Sequence, residues 1–209
     1  MDCTKTNEKA MSWLKGNLDE KRLLHSLGTA QCAVELAQKF GVDEKRAYIA
    51  GLLHDCAKCV DMEKLHEIAD NLDLPEDEKT NEKVIHAPVS AYLVKTEFGI
   101  EDEEILSSIR WHTIGKVDMT LFEKVVFLAD KIESNTRDLD FRNKVLLFLE
   151  DENGLEYGLN RAIMLCYRET IKSLVGRGLK ICQSTIDISA TCLTSKAGQT
   201  RLSLTLPVC

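Results

Sequence analysis

His54 and Asp55 stand side by side in Ala50-Gly51-Leu52-Leu53-His54-Asp55-Cys56-Ala57-Lys58, where an apolar helical run delivers an imidazole and a carboxylate together at its end. Three further histidines, His25, His86 and His112, and one aspartate, Asp130, lie where other helices can bring them to this pair. Of the five histidines only His66 falls outside the set. Neutral imidazole suits iron, manganese, nickel or zinc, and a carboxylate can bridge two ions, so the set reads as a one- or two-metal hydrolytic centre. Any one of these histidines alone is more simply a half-buried ring bonded to backbone. Four imidazoles and two carboxylates on apolar helical faces are together costly to bury with nothing bound.

Helices must position these groups, because the hydrophobic periodicity is helical nearly everywhere; the expected class is all-α. A short helix over Asn7 to Gly16 is followed by one from near Asp19 to Phe40, stopped at Gly41. Asp43 caps a third, with Ala47, Ala50 and His54 on one face. Asp61 begins a helix carrying Leu65, Ile68, Leu72 and His66, and Leu74-Pro75-Glu76-Asp77-Glu78 reads as a solvated charged turn. Pro88 fits the first turn of a helix that closes at Phe98-Gly99, and Ile105, Ile109 and His112 recur on the next. Asp130 lies on an apolar helix from Thr120 to about Ser134, where an ionised carboxylate needs a cationic partner. Helices over Leu139 to Glu150 and Leu155 to Val175 follow. After Leu179 the helical pattern is lost, and the alternating tail from Thr194 to Cys209 reads as a weak strand or a mobile end. The expected organisation is one helical domain over 1–188 and a tail over 189–209.

The 209 residues, 44% hydrophobic and 29% charged with 3 prolines, describe a globular chain rich in helix formers. A net charge of −7 opposes nonspecific binding to a nucleic-acid backbone, so a small anionic substrate needs metals or local cations to approach. Neither a secretory signal nor a bilayer-length apolar run is visible, which points to the cytoplasm and to no membrane partner. The 8 cysteines are then expected as reduced thiols, with Cys32, Cys56 and Cys166 inside helical patterns. Cys56-Ala57-Lys58-Cys59 lacks the second pair or the strand-helix surroundings that a structural zinc or a thioredoxin-like centre requires; oxidation of Cys56 beside a metal stays open.

The order His25, His54-Asp55, His86, His112, Asp130 resembles the HD superfamily of metal-dependent phosphohydrolases, whose founding pair is the adjacent His-Asp. The strings Leu24-His25-Ser26-Leu27-Gly28, His86-Ala87-Pro88-Val89, Ile109-Arg110-Trp111-His112-Thr113 and Phe127-Leu128-Ala129-Asp130-Lys131-Ile132-Glu133 resemble its YqeK-type bacterial members over about Glu20 to Ile188. The resemblance implies an HD-domain helical bundle, a homodimer, iron as the usual metal with manganese or another divalent transition metal as alternatives, and symmetrical cleavage of diadenosine tetraphosphate into two ADP.

Carried over by resemblance, His25, His54, Asp55 and Asp130 hold one ion, and Asp55 bridges to a second held by His86 and His112. His86 and His112 thereby also border the substrate. Asp55 and Lys58 are the candidate catalytic residues, Lys58 reaching a phosphate oxygen to stabilise developing charge; its alternative role is to complement a helix C-terminus. The family's Glu-Pro-Asn-Arg stretch reads Glu133-Ser134-Asn135-Thr136-Arg137 here, without the proline and with the candidate phosphate-binding Arg137 one position later. A nucleotide-contacting Ile-x-Pro-x-Thr loop reads Ile181-Cys182-Gln183-Ser184-Thr185, again without its proline; Ile181, Cys182 and Thr185 are the expected contacts. No glycine-rich phosphate loop is present. Two alternatives stand: the same metal machinery acting on a nucleoside monophosphate, a deoxynucleoside triphosphate or a guanosine polyphosphate, and a nucleotide-binding regulatory module without turnover.

Overall fold

The computed structural model describes the backbone of residues 3–194 and the side chains of residues 6–188. Eleven helices lie among these residues, with no strand between them: α1 (Cys3–Asn17), α2 (Glu20–Phe40), α3 (Glu44–Leu53), α4 (Met62–Asp70), α5 (Glu76–Lys79), α6 (His86–Phe98), α7 (Glu103–Trp111), α8 (Leu121–Ile132), α9 (Leu139–Phe148), α10 (Leu155–Gly176) and α11 (Gln183–Thr194). The all-α expectation holds.

Aspartates start the helices by satisfying N–H groups that have no partner inside the first turn. Asp19, Asp43, Asp61 and Asp138 accept from the backbone N–H three residues on, at 2.7–3.0 Å. Thr120 and Glu123 form a reciprocal capping box that opens α8. Gly41 and Gly99, at φ 71° and 64°, end α2 and α6 in the left-handed conformation that only glycine adopts freely.

The core is built where α2, α3, α6, α7 and α8 pack together. Residues such as Leu52, Leu53, Ile85, Ile109, Val125 and Leu128 are fully buried there. α2 and α3 cross closely, and a Cβ on Gly51 would lie 2.9 Å from both the Ala30 Cα and the Thr29 carbonyl oxygen. These are backbone atoms and cannot swing aside. Gly51→Ala should therefore destabilise the protein by about 1–3 kcal/mol, the cost of overpacking a tight core, as read from its denaturant midpoint. An unchanged midpoint would mean that the two helices can part freely.

Two expectations are corrected. The charged segment around Pro75 is not a solvated turn: Glu76–Lys79 forms the short α5, and Glu78 is fully buried. It is paired with the Arg110 guanidinium and accepts a hydrogen bond from Ser184, which offsets the cost of burying its charge. Second, the chain becomes helical again after Leu179, as α11, which continues past Ile188 to Thr194. Its start is tied down from afar, the Gln183 N–H donating to Asp77 Oδ2 at 2.9 Å. Cys182 and Ile188 are buried in apolar packing. The expected strand or mobile end over 194–209 lies almost wholly outside the described residues.

Among the described residues Cys32, Cys56, Cys59, Cys166 and Cys182 are free thiols. Cys56 sits in the turn after α3 rather than within a helix, with no exposure, and burial pushes its thiol up to about 12, leaving almost no reactive thiolate. Among the described residues no helix is long and apolar enough to cross a membrane.

Candidate metal centre

Each of the six singled-out side chains comes from a helix or its end. His25 lies on α2, His54 is the C-cap of α3 with Asp55 next to it, His86 opens α6, His112 is the C-cap of α7, and Asp130 lies on α8. All six are at most 4% exposed, and they meet at one point. Asp55 is its centre. Asp55 Oδ1 lies 3.1 Å from His86 Nε2 and 3.4 Å from His112 Nε2, while Oδ2 lies 3.8 Å from His54 Nε2 and 4.0 Å from His25 Nε2. One carboxylate thus faces two imidazole pairs with two different oxygens. Asp130 Oδ1 completes the first pair, 3.0 Å from His25 Nε2 and 3.6 Å from His54 Nε2. His66, half-buried on α4, stays outside.

The tautomers follow from what the other ring nitrogens touch. His54 Nδ1 donates to the Gly51 carbonyl at 2.6 Å and His112 Nδ1 to the Ile109 carbonyl at 2.7 Å, each one turn back in the chain. His25 Nδ1 donates to Glu133 Oε1 at 3.1 Å. Three imidazoles therefore turn Nε2 lone pairs inward, and His25 Nε2 and His54 Nε2 stand 3.2 Å apart. Two lone pairs at that distance repel unless a proton or a metal cation lies against them. The donor set, imidazole and carboxylate with no thiolate, fits a divalent metal, and three overlapping groups of these residues could each hold an ion: His25, His54 and Asp55; His54, His112 and Asp130; Asp55, His86 and His112.

The electrostatics agree. Burial pushes the Asp55 carboxyl up, but the imidazoles of His54, His112 and His86 overcome this and hold it well below the usual carboxylate range. Burial also opposes the charge on Asp130, where Lys131 and Arg137 prevail and keep it ionised. Burial pushes His54 down, yet Asp55 and Asp130 outweigh it and favour its charged form. His86 goes the other way, pushed down to about 3 by burial and by the neighbouring Lys58.

His86 sets an acid sensitivity in the metal-stripped protein. Its ordinary value is 6.5 and its folded value about 3, so between these the unfolded chain binds the extra proton and stability falls as pH falls. His112, also pushed down by burial, acts in the same direction, and His54 opposes both. Thermal melts of stripped protein should shift downward from pH 6.5 towards pH 4, and His86→Gln should flatten that slope. An identical slope in the variant would contradict this assignment.

Cations ring the cluster. Lys58 Nζ lies 2.9 Å from His86 Nε2 and 4.0 Å from Asp55 Oδ1, and burial pushes its ammonium down to about 8. Lys131 is paired with Asp130 Oδ2 at 2.7 Å, and Arg22 stands 3.6 Å from Asp55. Arg137, despite its shifted position, reaches back to Asp130 with both its Nε and its Nη2. These side chains counter the net charge of the chain where an anion would arrive.

Beside the cluster opens a cavity of about 440 Å³, bordered by Thr113, Lys131 and Arg137 on the metal side and by Lys180, Cys182 and Thr185 on the other. Of the three expected loop contacts, Cys182 and Thr185 line it. Ile181, half-buried, does not, and Cys182 is a packed wall residue with Val84 and Ile114. Sequence reasoning missed Glu133, Lys131 and Arg22. For Glu133 the only signal was a carboxylate three residues after Asp130 at the end of an apolar helix.

Comparison with known proteins bears on the same residues. The HD domain family model matches residues 22–135, which carry all six side chains of the cluster. The symmetrical bis(5'-nucleosyl)-tetraphosphatase of Bacillus subtilis is 44% identical over 129 residues, covering 61% of this chain and 69% of that protein. Its counterpart in Staphylococcus aureus is 33% identical over 184 residues, covering 86% and 91%. The crystal structure of a "predicted HD superfamily hydrolase involved in NAD metabolism" from Clostridium acetobutylicum superposes with a TM-score of 0.81 at 33% identity, over 90% of this chain and 96% of that one. With the fold, the adjacent His-Asp pair and these matches in agreement, the chain belongs to the HD domain family.

Proposed function

We propose that the protein hydrolyses dinucleoside tetraphosphates symmetrically, diadenosine tetraphosphate giving two ADP, at a metal centre held by His25, His54, Asp55, His86, His112 and Asp130. The observation that carries this reading is Asp55, whose two oxygens face two separate imidazole pairs beside a cation-ringed cavity. Relatives named for this reaction align with the chain over 69% and 91% of their own lengths and support the choice of substrate. Iron is the proposed metal, as the family resemblance implies, with manganese as a substitute; mixed imidazole and carboxylate ligation is compatible with both. Bound there, divalent ions supply Lewis-acid charge for a phosphate and activate water at neutral pH.

The chain's own residues do the rest. Arg137 and Lys131 present N–H donors at the mouth of the cavity, where the polyphosphate enters, and Lys58 donates to a phosphate oxygen as charge builds on the leaving diphosphate. The cavity takes one nucleotide half, with the Thr185 hydroxyl in its wall. Cleavage is symmetric when the bond between the two central phosphates lies over Asp55. The substrate is a soluble nucleotide, and the proposed place of the reaction is the cytoplasm.

The test is turnover by chelator-stripped protein, with and without added Fe(II) or Mn(II), against diadenosine tetraphosphate, NAD, ATP, a deoxynucleoside triphosphate, AMP and a guanosine polyphosphate. Metal-dependent loss of the tetraphosphate in strong preference to the others is expected. Preference for any other member would overturn the substrate, and equal turnover without metal would overturn the centre.

A further inference from the structure

We propose that Glu133 is a positioning residue that fixes His25 as a metal ligand and, through the same carboxylate, holds the turn that delivers Arg137. The inference rests on the metal-centre reading above. His54 and His112 are oriented by carbonyls of their own helices, three residues back. His25 has no such local partner: its Nδ1–H goes to a carboxylate 108 residues away. Glu133 is fully buried at the C-cap of α8, so its charge is retained only because every lone pair finds a donor. Oε2 accepts the Asn135 N–H at 2.6 Å, the Thr136 N–H lies 3.0 Å from Oε1, and the Thr136 hydroxyl also donates to Oε1.

These bonds have two effects on the cluster. The acceptor at Nδ1 commits His25 to the tautomer whose Nε2 lone pair faces Asp130 and Asp55. The turn over 134–136, pinned by its backbone N–H groups, sends Arg137 back so that its Nη2 donates to Asp130 and stands 3.3 Å from His25 Nε2. The protein makes room for this carboxylate at Gly28 on α2, where an added Cβ would lie 2.2 Å from Glu133 Oε2 and 2.9 Å from Asn135 Nδ2. Gly28 is the packing counterpart of Glu133.

The test is Mn(II) titration of chelator-stripped full-length protein by calorimetry, with circular dichroism to establish folding. Glu133→Gln has the size of the native side chain but cannot accept at both termini. We expect it to fold and to bind Mn(II) about 10- to 100-fold more weakly than wild type, the usual cost of removing a ligand's hydrogen-bond partner. Gly28→Ala should reproduce that loss without replacing any polar side chain, and combining the two substitutions should cost less than the sum of the separate losses, because both act on one contact. Folded Glu133→Gln with wild-type Mn(II) affinity overturns the proposal, as does full additivity of the two losses. A wild-type protein that takes up no Mn(II) or Fe(II) overturns the metal-centre reading itself, a result distinct from either.

Discussion

Replacing Asp55 with alanine is expected to remove bound metal and hydrolysis together. Its two oxygens face different imidazole pairs, so no single neighbour can take over both sets of contacts. Truncation leaves His25, His54, His86 and His112 crowded without the buried negative charge that offsets a cation. Metal content measured on the purified variant should fall to background. The rate should fall by more than the roughly 10²- to 10³-fold associated with one charge-stabilising donor. The protein should still fold, because the apolar core that α2, α3, α7 and α8 build does not rely on Asp55 for its packing. Metal content and turnover equal to wild type in Asp55→Ala would end the account of a shared carboxylate.

Lys58→Ala separates binding of metal from chemistry. Lys58 approaches His86 and Asp55 from outside the ring of six; it does not line the cavity, but its side chain keeps 21% exposure beside the cluster. Its removal should leave metal content unchanged and lower kcat by about 10²- to 10³-fold. Loss of the Lys58 charge also relieves one of the three influences that push His86 down, so the acid sensitivity of the stripped protein should soften in this variant as well. Unchanged turnover would return Lys58 to the lesser role of complementing the C-terminus of α3.

The parts of this site that were legible from sequence share a property: they sit at helix ends marked by local chemistry. Asp43 announces α3, and His54 and His112 fall on the apolar faces that α3 and α7 bury. Periodicity and the resemblance to the HD superfamily together pointed four histidines and two aspartates towards one core. What stayed hidden depends on partners remote in the chain. Glu133 reads as an ordinary helix-end carboxylate until His25 is brought to it across 108 residues. Glu78 looks solvated in a run of charges, and only Arg110, supplied by α7, makes its burial tolerable. The start of α11 is polar and rich in hydroxyls, with weak intrinsic helical preference, and it is helical because Asp77 and the apolar wall at Cys182 hold it. Arg137 shows the same lesson in reverse. Its displaced position in the sequence made its role uncertain, and the turn fastened by Glu133 restores its reach to Asp130.

The most direct measurement of the central claim is the identity of the products formed from diadenosine tetraphosphate by iron-loaded protein, resolved by chromatography beside an Asp55→Ala control. ADP as the sole product, absent with the variant, is the predicted result, since it requires the central phosphate bond to lie over the cluster. AMP and ATP in equal amounts would place a different bond there and contradict symmetric cleavage, and ADP formed equally by the Asp55→Ala protein would contradict the site.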